Sequence, residues 1–317
     1  MGLGRAPAFV RPSLSDVTSS LPTAPLSCTV RDCGLLLERR GQVVVCARQH
    51  SYDVARSGYL NLLQPQDRRS LTAGDTRAAL EARARLLSAG VGRTILDAFV
   101  DRAATLMPAN GIVADLGSGS GEVLGELSAR VSGVAIGIDL STTAAEYAVR
   151  RFPKVTWVVA NADRRLPLLD RTVDLILSLH GRRHPAECAR VLSGAGHLFV
   201  GVPAADDLIE LRAAVQGQRV ARERHLALVA EHAGHFEVVE QFEARERHHV
   251  TREQIRDLLQ GTYRGTRRSA AEAIEALDDM DVTLASTIVL FRRHSSTRVY
   301  SSSGSRVLNS QATVRDR

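Results

Sequence analysis

Apolar positions along the chain change their period twice. Residues 26–65 are short β-type pieces broken by turn residues, with Leu35–Leu37 and Val43–Cys46 flanking Arg40-Gly41. Residues 75–106 carry a helical period. Ala78, Ala79, Ala82, Leu86 and Leu87 share one face, Asp75 is placed to cap the start, and a second helix follows from Thr94 with Ile95, Phe99 and Leu106 in phase. From residue 111 apolar runs alternate with helical segments. The runs Ile112–Leu116, Val134–Ile138, Val155–Ala160, Val173–Leu179 and His197–Val202 predict five buried strands. Helices are predicted at Val123–Val131, after a Ser141 cap, and at Pro185–Leu192. That alternation implies a parallel sheet covered on both faces, an α/β fold. Phe236–Phe242 and Thr283–Phe291 are expected to complete it as an antiparallel pair, with an amphipathic helix at Arg252–Leu259 between them.

The expected organisation is a disordered leader (1–25), a small metal-binding module (26–65), a helical connection (66–108), an α/β domain (109–294) and a disordered basic tail (295–317). The leader has four prolines and no apolar period; the tail has seven serines and four arginines against one aspartate. A chain of 317 residues can bury a sizeable core. No run of 18 apolar residues is present, and the first 25 residues lack the apolar stretch of a secretory signal, so the expected compartment is the cytoplasm with no membrane partner. The formal charge is +6, from 41 Lys+Arg against 35 Asp+Glu, and Lys154 is the only lysine. Arginine in that proportion suits phosphate binding, although a GC-rich genome produces the same bias.

The strongest chemical signal is Asp115-Leu-Gly117-Ser-Gly119-Ser-Gly121, after a predicted strand and before a predicted helix. Glycines there permit a sharp turn and close approach of a ligand to backbone N–H groups. A dinucleotide fingerprint would read Gly-x-Gly-x-x-Gly, and an acid beside a pyrophosphate would repel it. The acid suits a cationic ligand instead, and S-adenosylmethionine (SAM) carries both an ammonium and a sulfonium. Asp139 follows at the end of the second strand, placed for ribose hydroxyls, and Asn161 and Asp163 follow the third, placed for an adenine amino group. A tight strand–helix turn with a capping aspartate is the structural alternative.

A second signal is Cys28-x4-Cys33 followed by Cys46-x3-His50. Clustered thiols and an imidazole in a cytoplasmic chain favour a metal over disulfides, and Cys₃His is a structural zinc set. Cys188 falls in a predicted helix as a small core residue. Ser178 and His180 end the fourth strand and are candidates to face a transferred methyl, His180 as a base or as a solvated loop residue. Arg182, Arg183 and the segment 245–268, with seven arginines, three acids and Tyr263, are candidates for an RNA surface or for solvated faces; His248 and His249 read as surface residues.

With the cysteine–histidine knuckle come Tyr52-Asp53-Val54-Ala55-Arg56-Ser57-Gly58-Tyr59-Leu60-Asn61-Leu62-Leu63, then Gly74-Asp75 and Ala82-Arg83. Together, from about Cys28 to residue 291, these resemble the 23S rRNA (guanine-N1)-methyltransferases. The resemblance implies a zinc-bearing module that recognises RNA, a Rossmann-like SAM domain, methyl transfer to a guanine N1 of 23S rRNA, and a homodimer. It carries zinc onto Cys28, Cys33, Cys46 and His50, and SAM onto Asp115, Gly117, Gly119, Asp139 and Asp163, with Gly121 and Asn161 in the same loops. The first cysteine pair is wider than the family's two-residue spacing. Ala89-Gly90-Val91-Gly92 lacks the family's His-Tyr pair, and Ser178-Leu179-His180-Gly181 also departs from the usual residues. A small-molecule methyltransferase and a non-enzymatic RNA-binding protein on the same fold are the rival readings; a dehydrogenase fits worst.

Overall fold

A computed structural model describes residues 24–67, 74–217, 221, 223–261 and 277–294. The expected leader up to residue 23 and the expected tail lie outside the described residues.

Eight strands form one mixed sheet. In chain order its members are β4 (Leu60–Asn61), β5 (Gly111–Leu116), β6 (Gly133–Asp139), β7 (Thr156–Val159), β8 (Val173–Leu179), β9 (Leu192–Pro203), β10 (Phe236–Val250) and β11 (Met280–Arg293). Their spatial order is β10-β11-β9-β8-β5-β6-β7-β4. β4 through β9 pair in parallel, whereas β11 runs antiparallel between β9 and β10. That inserted last strand distinguishes the sheet from an all-parallel doubly wound one. The expected antiparallel pair is present and much longer than its apolar runs suggested, because outward-facing charges in β10 interrupt the apolar pattern without interrupting the ladder.

Helices α1 (Arg77–Ser88), α2 (Arg93–Leu106), α3 (Glu122–Arg130), α4 (Thr142–Arg151), α5 (Pro185–Val191), α6 (Ile209–Gln216), α7 (His225–His232) and α8 (Arg252–Gly261) pack around the sheet. Phe99, Leu124, Leu127, Trp157 and Phe199 are among the fully or nearly fully buried residues beneath α2, α3 and α4. A smaller core of Leu86, Val91, Leu211, Val250, Ile255, Leu258 and Val282 joins α1, α6 and α8 to the ends of β10 and β11. Two details differ from expectation. Thr76, not Asp75, caps α1, its hydroxyl accepting from the Ala79 N–H at 3.2 Å. Helices α6 and α7 have no counterpart among the predicted elements.

Strands β1 (Leu37–Arg40), β2 (Val43–Cys46) and β3 (Ser51–Asp53) form a separate antiparallel sheet. It does not stand apart from the main body. Leu26 bridges to Leu168, Leu169 N–H donates to the Pro25 carbonyl, and β4 extends the main sheet beyond β7. Leu26, Leu37, Val44 and Leu62 share one core with Leu166 and Leu168. No described helix is long and apolar enough to cross a membrane.

Candidate cofactor site and metal centre

The chain turns back at β5: the connection after it leads to β6 on one side, while β8 lies on the other. Such a switch point opens a crevice at the carboxyl ends of the strands, where ligands of α/β folds bind. The predicted residues assemble along this edge. Asp115 lies in β5, Asp139 ends β6, Asn161 and Asp163 follow β7, and Ser178 and His180 stand at the end of β8.

Gly117, Gly119 and Gly121 all have positive φ, +74°, +52° and +86°. Two of them also answer to close packing. A Cβ on Gly117 would stand 2.9 Å from the Gly181 Cα, where the loops after β5 and β8 touch, and one on Gly121 would stand 2.5 Å from the Trp157 ring. The turn delivers the chain into α3, whose N-cap Gly121 has no side chain to satisfy the first N–H groups.

Asp139 braces this turn. One carboxylate oxygen accepts from the Gly119 N–H at 2.9 Å and the other from the Ser141 N–H at 2.8 Å. Burial nevertheless raises its pKa, with Asp75 adding repulsion and Arg83 relief. Asp115 is 2% exposed and accepts no side-chain hydrogen bond from the described residues. Burial first, and then the charge of Asp139, push its pKa up to about 8. Buried Asp115 and half-buried Asp139 give this part of the crevice negative character, which suits the ammonium end of SAM. Asn161 Oδ1 takes the Asp163 N–H at 3.0 Å, and Asp163 pairs with the exposed Arg182 at 3.0 Å.

Ser178 is fully buried and its hydroxyl has no hydrogen-bond partner among the described residues. It lies beneath the loop that carries Gly181, 3.0 Å from where a Cβ on that glycine would stand. His180 has φ +58° and joins β8 to β11 through Nε2 and the Ser286 hydroxyl, 2.8 Å apart. Its ring is solvent-accessible, but desolvation among the surrounding protein, together with Arg224 and Arg83, pulls its pKa down to about 4. It is neutral at pH 7.

The sulfur and nitrogen ligand atoms of Cys28, Cys33, Cys46 and His50 all lie within 4.8 Å of one another. His50 Nδ1 is 3.4 Å from Cys28 Sγ and 3.5 Å from Cys46 Sγ, and the Cys33 and Cys46 sulfurs are 3.8 Å apart. A tetrahedral zinc with ordinary bond lengths separates two sulfurs by about 3.8 Å and a sulfur from a nitrogen by about 3.6 Å. The nest therefore fits zinc, and its four donors leave no open position for catalysis. Positive φ at Asp32 and Gly34 lets the wider first cysteine spacing close around the site. No other cluster of this kind occurs among the described residues. His248 and His249 instead pair with Glu246 and Asp281.

The expected basic surface divides. Arg182 is exposed, but Arg183 turns inward, donating to the Gly181 carbonyl and to the buried His232 ring. Arg245, Arg247 and Arg252 are matched by Asp206, Asp281 and Asp278. Tyr263 and Arg264–Arg268 lie outside the described residues. Sequence reasoning named Arg83 only among the residues of the resemblance, with no role, and missed Asp207, Arg224 and Ser286; all four are brought to this edge from distant segments. Asp207 takes the Ala285 N–H at 3.0 Å beside Ser286, and burial lifts its pKa to about 6.

Comparison with known proteins adds independent findings. The model of the RlmA N-terminal zinc ribbon matches residues 27–71, and that of a methyltransferase domain matches residues 113–198. The Streptomyces fradiae 23S rRNA (guanine(748)-N(1))-methyltransferase is 32% identical over 212 residues, spanning 66% of this chain and 75% of that protein. A Micromonospora griseorubida relative, named as a candidate 23S rRNA (guanine-N1)-methyltransferase, is 31% identical over 229 residues, spanning 68% of this chain and 77% of its own.

Proposed function

Because the chain belongs to the 23S rRNA (guanine-N1)-methyltransferase family, we propose that it methylates a guanine N1 in 23S rRNA, with its zinc module gripping the RNA. The observation that carries this reading is a conjunction: a closed Cys₃His nest is packed onto the same sheet whose carboxyl edge holds Asp115, Asp139 and Asp163. Neither half alone separates an RNA methyltransferase from a small-molecule one.

SAM, when bound, supplies an activated methyl on sulfur, so the protein's task is chiefly to position and desolvate. In this reading Asp115 faces the ammonium, Asp139 the ribose, and Asn161 with Asp163 the adenine. Gly117, Gly119 and Gly121 keep side chains out of the way. The target base docks toward Ser178 and His180. Guanine N1 carries a proton that must leave at or before transfer. Neutral His180, oriented by Ser286, can hydrogen-bond the base edge. The hydrogen bond to Ser286 fixes the ring, which gives His180 a part in orienting the base.

The test is transfer from labelled SAM to ribosomal RNA lacking its native modifications, with tRNA and a pool of small molecules as parallel acceptors. Label mapped to a guanine N1 in 23S rRNA is expected. Label confined to another pool overturns the rRNA assignment and favours the small-molecule reading.

A further inference from the structure

The residues assigned above to SAM are all acids, amides or glycines. The cofactor's methionine end carries a carboxylate as well as an ammonium, and nothing in that set can neutralise it. One cation lies against the same loop. Arg83, from α1, places Nη1 3.3 Å from where a Cβ on Gly119 would stand. Its charge is felt by both Asp139 and His180, so it lies between the two halves of the crevice.

The placement of Arg83 is held on several sides. Its Nη2 pairs with Asp75 at 2.5 Å, and its Nε donates to the Gly261 carbonyl, at the end of α8, at 3.3 Å. Nη1 has no acceptor among the described residues. Helix α1 is fixed to α8 by Arg85, which binds both oxygens of the buried Asp257 at 2.9 and 2.6 Å. Beneath them, Leu86, Ile255 and Leu258 share a core. Asp75 is tied to the far side of the crevice, its backbone carbonyl accepting from the Ser141 hydroxyl at 2.9 Å. The guanidinium is thus oriented before any ligand arrives, with one donor edge left over.

We propose that Arg83 binds the carboxylate of the cofactor's methionine end. The connection between the zinc module and the α/β domain then completes the cofactor site, as well as linking its neighbours. This rests on the reading of the crevice as a SAM site. A guanidinium donates in a rigid fork that matches a carboxylate, and Lys cannot reproduce that geometry.

The experiment compares two ligands by calorimetry on the full chain with zinc bound: S-adenosylhomocysteine, and decarboxylated SAM, which keeps the ammonium and sulfonium and lacks the carboxylate. Arg83→Gln should weaken S-adenosylhomocysteine on the order of ten- to hundredfold, the usual worth of a hydrogen bond to a charged group. It should leave decarboxylated SAM within about twofold, and wild type should itself prefer the carboxylate-bearing ligand. Arg83→Lys should recover only part of the loss. Melting of each variant without ligand separates a folding defect, and Asp75→Asn, which frees the fork without removing the cation, serves as the second variant should Arg83→Gln unfold: it should weaken S-adenosylhomocysteine more than decarboxylated SAM. Equal losses for the two ligands, or none, overturn the role of Arg83. Failure of wild type to bind either ligand overturns the SAM reading itself.

Discussion

A carboxylate buried without hydrogen bonds resists ionisation, and Asp115 is in that position, its pKa raised to about 8 by burial and by Asp139. In the unfolded chain it titrates near the ordinary value of about 4. Between those limits the folded protein holds the proton more tightly than the unfolded one. Its contribution to stability is therefore full below about pH 4, falls as pH rises, and levels off above about pH 8. Asp115→Asn removes this slope. Without ligand, the variant should gain melting temperature relative to wild type progressively from pH 5 to pH 8, and S-adenosylhomocysteine should stabilise wild type only. Melting curves across that range, with and without ligand, check both halves; parallel pH profiles would show that Asp115 ionises freely in the fold. Asp115 and Asp139 are legible in sequence because an acid at a strand end, followed by glycines or a helix cap, is a local pattern. The roles proposed for Arg83 and Ser286 are not, since each depends on a neighbour supplied by packing: Gly119 for one and His180 for the other.

At the scale of elements, the same contrast appears in how helices begin. Helix α4 starts on Ser141, whose hydroxyl takes the Ala144 N–H, as its sequence predicts. Helix α2 starts on Gly92, which has φ +89° and no side chain to offer. Its cap comes from β10: the Glu246 carboxylate accepts from the Gly92 N–H and, at 2.8 Å, from the Thr94 N–H. Glu246 is 8% exposed, and its negative charge lies at the positive end of the helix dipole. Glu246→Ala should therefore cost about 0.5–2 kcal/mol, the usual worth of a helix cap, whereas Glu246→Gln keeps an acceptor and should cost less. Urea unfolding of the zinc-loaded protein measures this, and an alanine variant within a few tenths of wild type would dismiss the cap. The strands β5 to β9 were visible as apolar runs because both faces of the sheet are covered. Strand β4 was not, since two residues carry no period and their partner, β7, lies almost a hundred residues on. Helices α6 and α7 are too short to show a stripe.

Over the whole molecule, the sheet sets a distance. The chain leaves the zinc module through β4 at the rim of the sheet, and β8 lies four strands from β4, roughly 19 Å away at the usual strand spacing, although the module also packs on the connection between β7 and β8. Under the proposed rRNA activity, a substrate that reaches Ser178 and His180 and also engages the outer face of the module spans part of that sheet, as a folded RNA can. The module exposes Arg31, Arg39, Arg40 and Arg48 together with Leu35 and Leu36, and Arg31 forms no side-chain hydrogen bond or ion pair with the described residues. The arginines of β10, already matched by acids, are less able to attract phosphate. Under the proposed rRNA activity, Arg31→Gln and Arg48→Gln should each raise the KM for rRNA several-fold and lower its salt slope by about one. The kcat and the affinity for S-adenosylhomocysteine should stay as in wild type, because neither residue reaches the crevice. Steady-state kinetics at several salt concentrations decide the matter. An unchanged KM would move RNA recognition off the knuckle, and a change confined to kcat would mean that the zinc module acts on the crevice through the core it shares with β7 rather than by holding the substrate.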